Sequence, residues 1–104
     1  MVSYNVFFSP RPGVEDATVV AAVRRLLDGL RAEGQLRGYR ILRVTDRASF
    51  TGLPRFQVIV DYATPAEQEA SLAFMRQPGR VREGAHGDLL GLVTDFRVSF
   101  TADA

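Results

Sequence analysis

His86 is the only histidine of a 104-residue chain. Imidazole is the side chain whose ordinary pKa lies nearest neutrality, so this residue type suits a general acid or base, or an axial haem ligand. On a helix it would neighbour Leu89, Leu90 and, a turn further on, Val93. A structural role, with the ring hydrogen-bonded to a backbone group, stands beside that one, because a lone histidine without a placed partner defines no reaction. A second set is Arg43, Asp61 and Arg97. Two guanidinium groups and one carboxylate in one cavity would leave a net positive site for an anionic aromatic or carboxylate ligand. The same three side chains could instead close on one another as an internal salt-bridge network, or reach across a dimer. Tyr39 offers a proton or a hydrogen bond to that cavity, or simply buries its ring with the hydroxyl at the rim. Asn5 adds a neutral amide to the same group of ligand-binding candidates.

Other chemistries are excluded by composition. Cysteine is absent, which removes disulfides, thiolate catalysis and cysteine-ligated zinc, and a reducing cytoplasm fits that absence. All thirteen basic residues are arginine, so Schiff-base and other lysine chemistry is impossible. Arginine forks bind carboxylate and phosphate well, but a coding bias toward arginine explains the composition without any site. One histidine cannot build a multi-histidine metal cluster, no Ser-His-Asp set is suggested, and no glycine-rich loop has phosphate-binding spacing. The formal net charge of +1 provides no field for nucleic acid or an anionic membrane. The opening Met-Val-Ser-Tyr-Asn-Val-Phe-Phe lacks a basic region followed by a long apolar stretch, so no secretory signal is expected. No apolar run approaches the roughly 20 residues of a membrane span.

The elements that must position these residues follow from periodicity. Val2–Ser9 alternates as a strand that Pro10 and Pro12 end. A helix is predicted over Asp16–Glu33, with Val19, Val23, Leu26, Leu27 and Leu30 on one stripe and Gly34 as its left-handed cap. Strands are predicted over Gly38–Thr45 and Arg55–Tyr62, joined by the polar connection Asp46–Pro54. Thr64-Pro65-Ala66-Glu67 carries three agreeing helix-start signals, and the helix runs to Arg76 burying Ala70, Ala73 and Phe74. Pro78-Gly79 breaks it, a second helical piece covers Val81–Leu92, and Thr94–Thr101 is the last strand. A chain of this length is expected to be one domain, residues 1–104.

That order is βαββαβ, the α+β ferredoxin-like sandwich with a four-stranded antiparallel sheet covered by helices on one face only. The alternation assigns Tyr4, Val6, Phe8, Leu42, Val44, Phe56, Val58, Val60, Phe96, Val98 and Phe100 to the face under the helices. The bare face then collects Asn5, Phe7, Tyr39, Ile41, Arg43, Gln57, Ile59, Asp61, Arg97 and Ser99. Phe7, Ile41 and Ile59 would each gain roughly 1.5–3 kcal/mol on burial. The charges among them would be costly to bury unless paired. A second copy related by a two-fold axis is the simplest cover for such a face.

The element order, the two-part second helix and the closing Val93-Thr94-Asp95-Phe96-Arg97 resemble the dimeric α/β-barrel superfamily. That group includes cofactor-independent monooxygenases of antibiotic biosynthesis, stress-responsive barrel proteins, haem-degrading monooxygenases and small polyketide cyclases. The chain is most similar to an uncharacterised bacterial family within it, at Tyr4–Phe8, Arg11-Pro12-Gly13, Ala32-Glu33-Gly34, Gly38-Tyr39-Arg40, Phe56–Tyr62 and His86. The resemblance implies a homodimer whose two sheets form a barrel. Haem-degrading relatives pair a strand asparagine with a tryptophan and a helical histidine; Asn5 and His86 match two of these, and tryptophan is absent. Polyketide cyclases carry a histidine near a His-Pro step where this chain has Gln77-Pro78-Gly79-Arg80. Phe7 alone does not make the aromatic platform of an RNA-binding sheet.

The expectation is therefore a homodimeric α/β barrel without a cofactor, binding neither nucleic acid nor membrane. It binds a small aromatic or anionic molecule or serves a structural role. The alternatives are a cofactor-independent monooxygenase or polyketide-cyclase-like enzyme using His86, and an interaction module. A closed pocket of at least ~300 Å³ holding His86, Tyr39 or Arg43 would favour the enzyme. A cavity filled by Phe7, Ile41 and salt bridges would favour a structural or interaction role.

Overall fold

The structure is a computed structural model that describes residues 1–77 and 84–104. The chain runs β1 (Val2–Pro10), α1 (Asp16–Ala32), β2 (Gly38–Arg43), β3 (Phe56–Tyr62), α2 (Pro65–Met75), α3 (Gly84–Leu90) and β4 (Val93–Ala102). The strands form one antiparallel sheet in the order β2-β3-β1-β4. This is the expected ferredoxin-like α+β sandwich, with the second helix in two pieces. The break expected at Pro78-Gly79 and the start expected at Val81 lie outside the described residues.

The apolar stripe of α1 does what its spacing dictates: Val19, Val23, Leu27 and Leu30 are buried on the sheet. Gly34 ends the helix at φ +75. Its N–H donates to the Arg31 carbonyl at 3.0 Å and the Gln35 N–H donates to the Leu30 carbonyl at 2.9 Å. That paired closure needs a left-handed residue, where a Cβ is disfavoured. It turns the chain so that Leu36 enters the core. At the start of α2, Thr64 Oγ1 accepts the Glu67 N–H at 3.2 Å, and Glu67 Oε2 accepts the Ala63 N–H at 3.2 Å. The reciprocal cap therefore reaches one residue further back than the usual box.

Three expectations need correction. The first concerns α2, where Phe74 packs against the core as expected but Ala70 and Ala73 are exposed, and Ser71, Leu72 and Met75 take the inward positions. Apolar residues lie all round this helix, so its sequence does not choose a face. One contact on the inward side joins it to the sheet, where the Tyr62 hydroxyl donates to Ser71 Oγ at 3.4 Å.

The second concerns β2, which pairs Tyr39 with Val60, Ile41 with Val58 and Arg43 with Phe56. Tyr39, Ile41 and Arg43 thus lie under the helices, while Arg40 and Leu42 share the bare face with Gln57, Ile59 and Asp61. Ile41 and Leu42 are adjacent and equally apolar, so alternation permits either parity, and a shift of one residue flips every side chain. Two bonds to α1 accompany the observed choice. The Tyr39 hydroxyl donates to Asp28 Oδ1 at 2.5 Å, and Arg43 Nε lies 3.3 Å from Asp16 Oδ2.

The third concerns β4. Phe96, Val98 and Phe100 face the helix side but are 46%, 46% and 56% exposed. They sit on an edge strand that the helices do not cover. Between Phe7 and Ser9 of β1, β4 spends one extra residue, from Arg97 to Thr94. Asp95, at φ +55, occupies this bulge. The inserted residue lets both Val93 and Phe96, three apart, point to the helix side.

Candidate functional site

Between the sheet and the helices lies a cavity of about 230 Å³. Its floor is Tyr4, Val6, Val58 and Val60 on the two central strands. Leu26, Leu27 and Leu30 of α1, Leu72 and Met75 of α2, and Leu89 and Leu90 of α3 make the walls. Phe96, half-exposed on the edge strand, closes one side. The walls are aliphatic because α1 turns its apolar stripe to the sheet and α2 and α3 add the side chains just named. The space remains because Val6, Val58 and Val60 are short where they face it.

Four polar-tipped side chains reach this space: Tyr4, Tyr62, Arg76 and His86. Burial pushes the Tyr4 phenol above its ordinary pKa; Tyr62 nearby adds to the rise and the Arg76 guanidinium opposes it. Burial likewise raises Tyr62, against the lowering effect of its hydrogen bond to Ser71. Both phenols are therefore neutral near pH 7, and act as hydrogen-bond donors rather than bases. Arg76 is the cation of the site. His86 is half-buried on α3.

The sequence-predicted residues separate into three places. His86 lines the cavity. Tyr39 does not; its hydroxyl is spent on Asp28, and that hydrogen bond, more than burial, holds its pKa up. Arg43 sits on the helix side of β2, beside Asp16 and with its guanidinium 5.6 Å over the Phe56 ring. Asn5, Asp61 and Arg97 lie on the bare face. There Ser3 Oγ donates to Asp61 Oδ1 at 2.6 Å, and Asn5 Nδ2 donates to Thr101 Oγ1 at 2.9 Å. Arg97 Nε donates to Asp95 Oδ1 at 3.0 Å, its neighbour at the bulge. No bond joins any two of Arg43, Asp61 and Arg97 among the described residues, so they do not close on one another within the chain. The change of parity in β2 moved Arg43 and Tyr39 to the opposite side of the sheet.

Sequence reasoning placed Tyr4 under the helices but gave neither Tyr4 nor Tyr62 a role, and it read Arg76 as a helix end. The available signal was a pair of polar-tipped aromatics on otherwise aliphatic core positions. Among the described residues, no three His, Cys, Asp or Glu side chains come together to hold a metal ion, and no helix is long and apolar enough to cross a membrane.

The fold recurs in solved structures. At3g17210 of Arabidopsis thaliana is 10% identical, with a TM-score of 0.79 over 100% of this chain and 96% of that one. A dimeric ferredoxin-like protein of unknown function from Jannaschia sp. is 19% identical, with a TM-score of 0.68 over 98% of each chain. A Deinococcus radiodurans protein with a provisional assignment as an antibiotic biosynthesis monooxygenase is 19% identical, with a TM-score of 0.55 over 100% of this chain and 93% of that one. At such identities the likeness establishes the fold. No curated protein matches in sequence. The sequence model of one family, however, matches residues 1–101, and the chain belongs to that family of unknown function, DUF6614.

Proposed function

We propose that the chain is a homodimeric, single-domain α/β-barrel protein of the reducing cytoplasm that binds a small, mainly apolar molecule between its sheet and helices. The observation that carries this reading is an aliphatic space of about 230 Å³ edged by Tyr4, Tyr62, Arg76 and His86. An apolar cavity of roughly 150 Å³ holds benzene, so a single ring with one acidic or carbonyl substituent fits the size. Arg76 would take an anionic substituent, and the neutral Tyr4 phenol would donate to it, the Tyr62 proton being held by Ser71. The space falls short of the ~300 Å³ at which the enzyme reading would be favoured, the lower end of ordinary small-molecule pockets.

The bare face supports the dimer. Phe7, Leu42 and Ile59 are only half-buried there. Asp61 and Asn5 already hold partners in Ser3 and Thr101. Those two groups can lose their water without being stranded, which lowers the penalty of covering the face, while Arg40 and Gln57 would take their partners from the second copy. The Jannaschia relative is dimeric. In this arrangement Asn5, Asp61 and Arg97 line the barrel between two sheets, where a small anion would meet them, and Arg43 lies outside it.

A second reading makes His86 the acid or base of a cofactor-independent monooxygenase. It is supported by the ring's position in the cavity wall and by the assignment of the Deinococcus neighbour. Under it, His86→Ala abolishes oxygen uptake with a phenolic substrate and leaves the melting temperature unchanged.

Native mass spectrometry of protein from its own host tests the primary reading. The expected species is a dimer carrying one small molecule per chain, and Leu26→Trp, which fills the cavity, releases that molecule without dissociating the dimer. A monomer with no added mass, and no binding of benzoate or phenol by calorimetry, would refute it.

A further inference from the structure

A second basin, of about 380 Å³, lies where β1 ends and β3 begins, next to the N-terminus of α1. Ser9, Arg11, Asp16, Arg47 and Arg55 line it. Asp16 Oδ2 receives Arg55 through both Nε and Nη2 at 2.9 Å, and Arg43 Nε lies 3.3 Å from the same oxygen. Arg47 donates its Nε to the Leu53 carbonyl at 2.5 Å. The adjacent carboxylate, Asp46, is engaged by the Ala48 N–H at 2.7 Å.

In all three arginines the inner nitrogen is used to hold the side chain. Both terminal nitrogens of Arg43 and Arg47, and one of Arg55, have no hydrogen-bond partner among the described residues. The Arg11 side chain has none either. Ser9 Oγ accepts the Arg55 N–H at 3.1 Å, which leaves its own proton to give. The lining carries three guanidinium groups (Arg11, Arg47, Arg55) against one carboxylate (Asp16), an excess of two positive charges, and Arg43 stands just beside it.

We infer that this basin binds the phosphate group of a small phosphorylated molecule. A dianion matches the excess charge, and the tetrahedral oxygens accept from several guanidinium forks at once, whereas a single carboxylate uses one fork. A purely structural cluster would need only Asp16 with Arg55 to tie α1 to β3. It would not explain why Arg47 is held at the same opening with its terminal nitrogens unspent. The site is separate from the helix–sheet cavity, so its test is independent of what that cavity holds.

The experiment is titration of the full chain with inorganic phosphate and with phenyl phosphate at constant ionic strength, followed by amide chemical shifts. The expected result is saturable shifts at Ser9, Arg11, Arg47 and Arg55. Arg11→Gln and Arg47→Gln, both surface changes, should each weaken binding about fivefold, the upper range for an exposed charge pair, with the melting temperature unchanged. Arg37→Gln, at the opposite end of the sheet, should bind as the parent does. Equal affinity for the two probes means that the phosphate alone is recognised; tighter phenyl phosphate means that the organic part is held too. Shifts no larger than those from sodium chloride, or unweakened binding by both the Arg11 and Arg47 variants, would overturn the proposal.

Discussion

The parity of β2 decides which residues face the cavity and which face a partner, and one pair of substitutions separates the two sides. Ile41 lies opposite Val58 and packs against the core under the helices; Leu42, next along the chain, lies opposite Gln57 on the bare face. Truncating a core isoleucine to alanine costs about 2–5 kcal/mol. Ile41 is half-buried, so Ile41→Ala belongs at the lower end, about 2 kcal/mol. At roughly 4–8 °C per kcal/mol for a domain of this size, the melting temperature should fall by about 8–16 °C. That fall should not depend on protein concentration. Leu42→Ala acts differently. Full burial of a leucine is worth roughly 1.5–3 kcal/mol, and about half of that remains to be gained at a partly exposed position. A two-fold interface loses the contribution twice, about 2 kcal/mol per dimer, which weakens dimerisation about thirtyfold. Thermal melts at several concentrations, with sedimentation equilibrium, read both quantities. A large concentration-independent loss from Leu42→Ala with a neutral Ile41→Ala would refute the observed register. An unchanged dimer constant for Leu42→Ala would refute the bare face as the interface.

Further outcomes follow from other parts of the fold. Ile59→Asp should convert the dimer to monomer or aggregate by light scattering. Arg40 lies cross-strand and could offset the new carboxylate, so Ile59→Asp is made with Arg40→Ala, and an intact dimer of the double variant points to another interface. Thr64→Ala removes the acceptor of the Glu67 N–H and should cost about 1 kcal/mol in chemical denaturation, with Thr64→Ser near the parent value. The alkaline limb of stability should belong to tyrosine, since the sequence has no lysine. Tyr4, Tyr62 and Tyr39 all have raised pKa values in the folded chain. The unfolded chain therefore ionises first, and stability should be complete below about pH 10 and decline as pH rises beyond it. Melts from pH 8 upward should show that decline, and Tyr62→Phe should flatten it; an equal slope in the variant contradicts the burial of that phenol. Glu67 titrates the other way. Its hydrogen bond from Arg37 holds the carboxyl below the ordinary carboxylate range. Its contribution should be present above about pH 4.3 and fade as pH falls through the lower folded value. Arg37→Gln should reduce that acid-side slope in stability measurements from pH 6 to pH 2, the Ala63 N–H bond to Glu67 remaining.

The helix–sheet cavity and the arginine basin draw on different physics. The first is a gap left by short valines beneath aliphatic helix stripes, and its selectivity comes from size with a few polar tips. The second is a surface charge excess, and its strength should decline with ionic strength as exposed charges are screened over about 10 Å. Loss of function in one should leave the other intact, because no lining residue is shared between them.

Periodicity by itself determined the element order, the stripe of α1, the glycine that ends it and the capped start of α2. Each of these rests on bonds between residues a few positions apart, which the local sequence contains. It also determined the parity of β1 and β3, where polar residues at Ser3, Asn5, Gln57 and Asp61 mark one face although Phe7 and Ile59 share it. The parity of β2 needed the tertiary structure, because Ile41 and Leu42 are interchangeable to any local rule and the bonds that accompany the choice, to Asp28 and Asp16, come from α1. The inward face of α2 needed it too, since Ser71 is chosen over Ala70 and Ala73 through contact with Tyr62 on another element. The site itself depended on the same long-range terms. Tyr4, Tyr62, Arg76 and His86 come from four separate stretches of chain, and only packing of two helices over a sheet brings their polar ends to one apolar space.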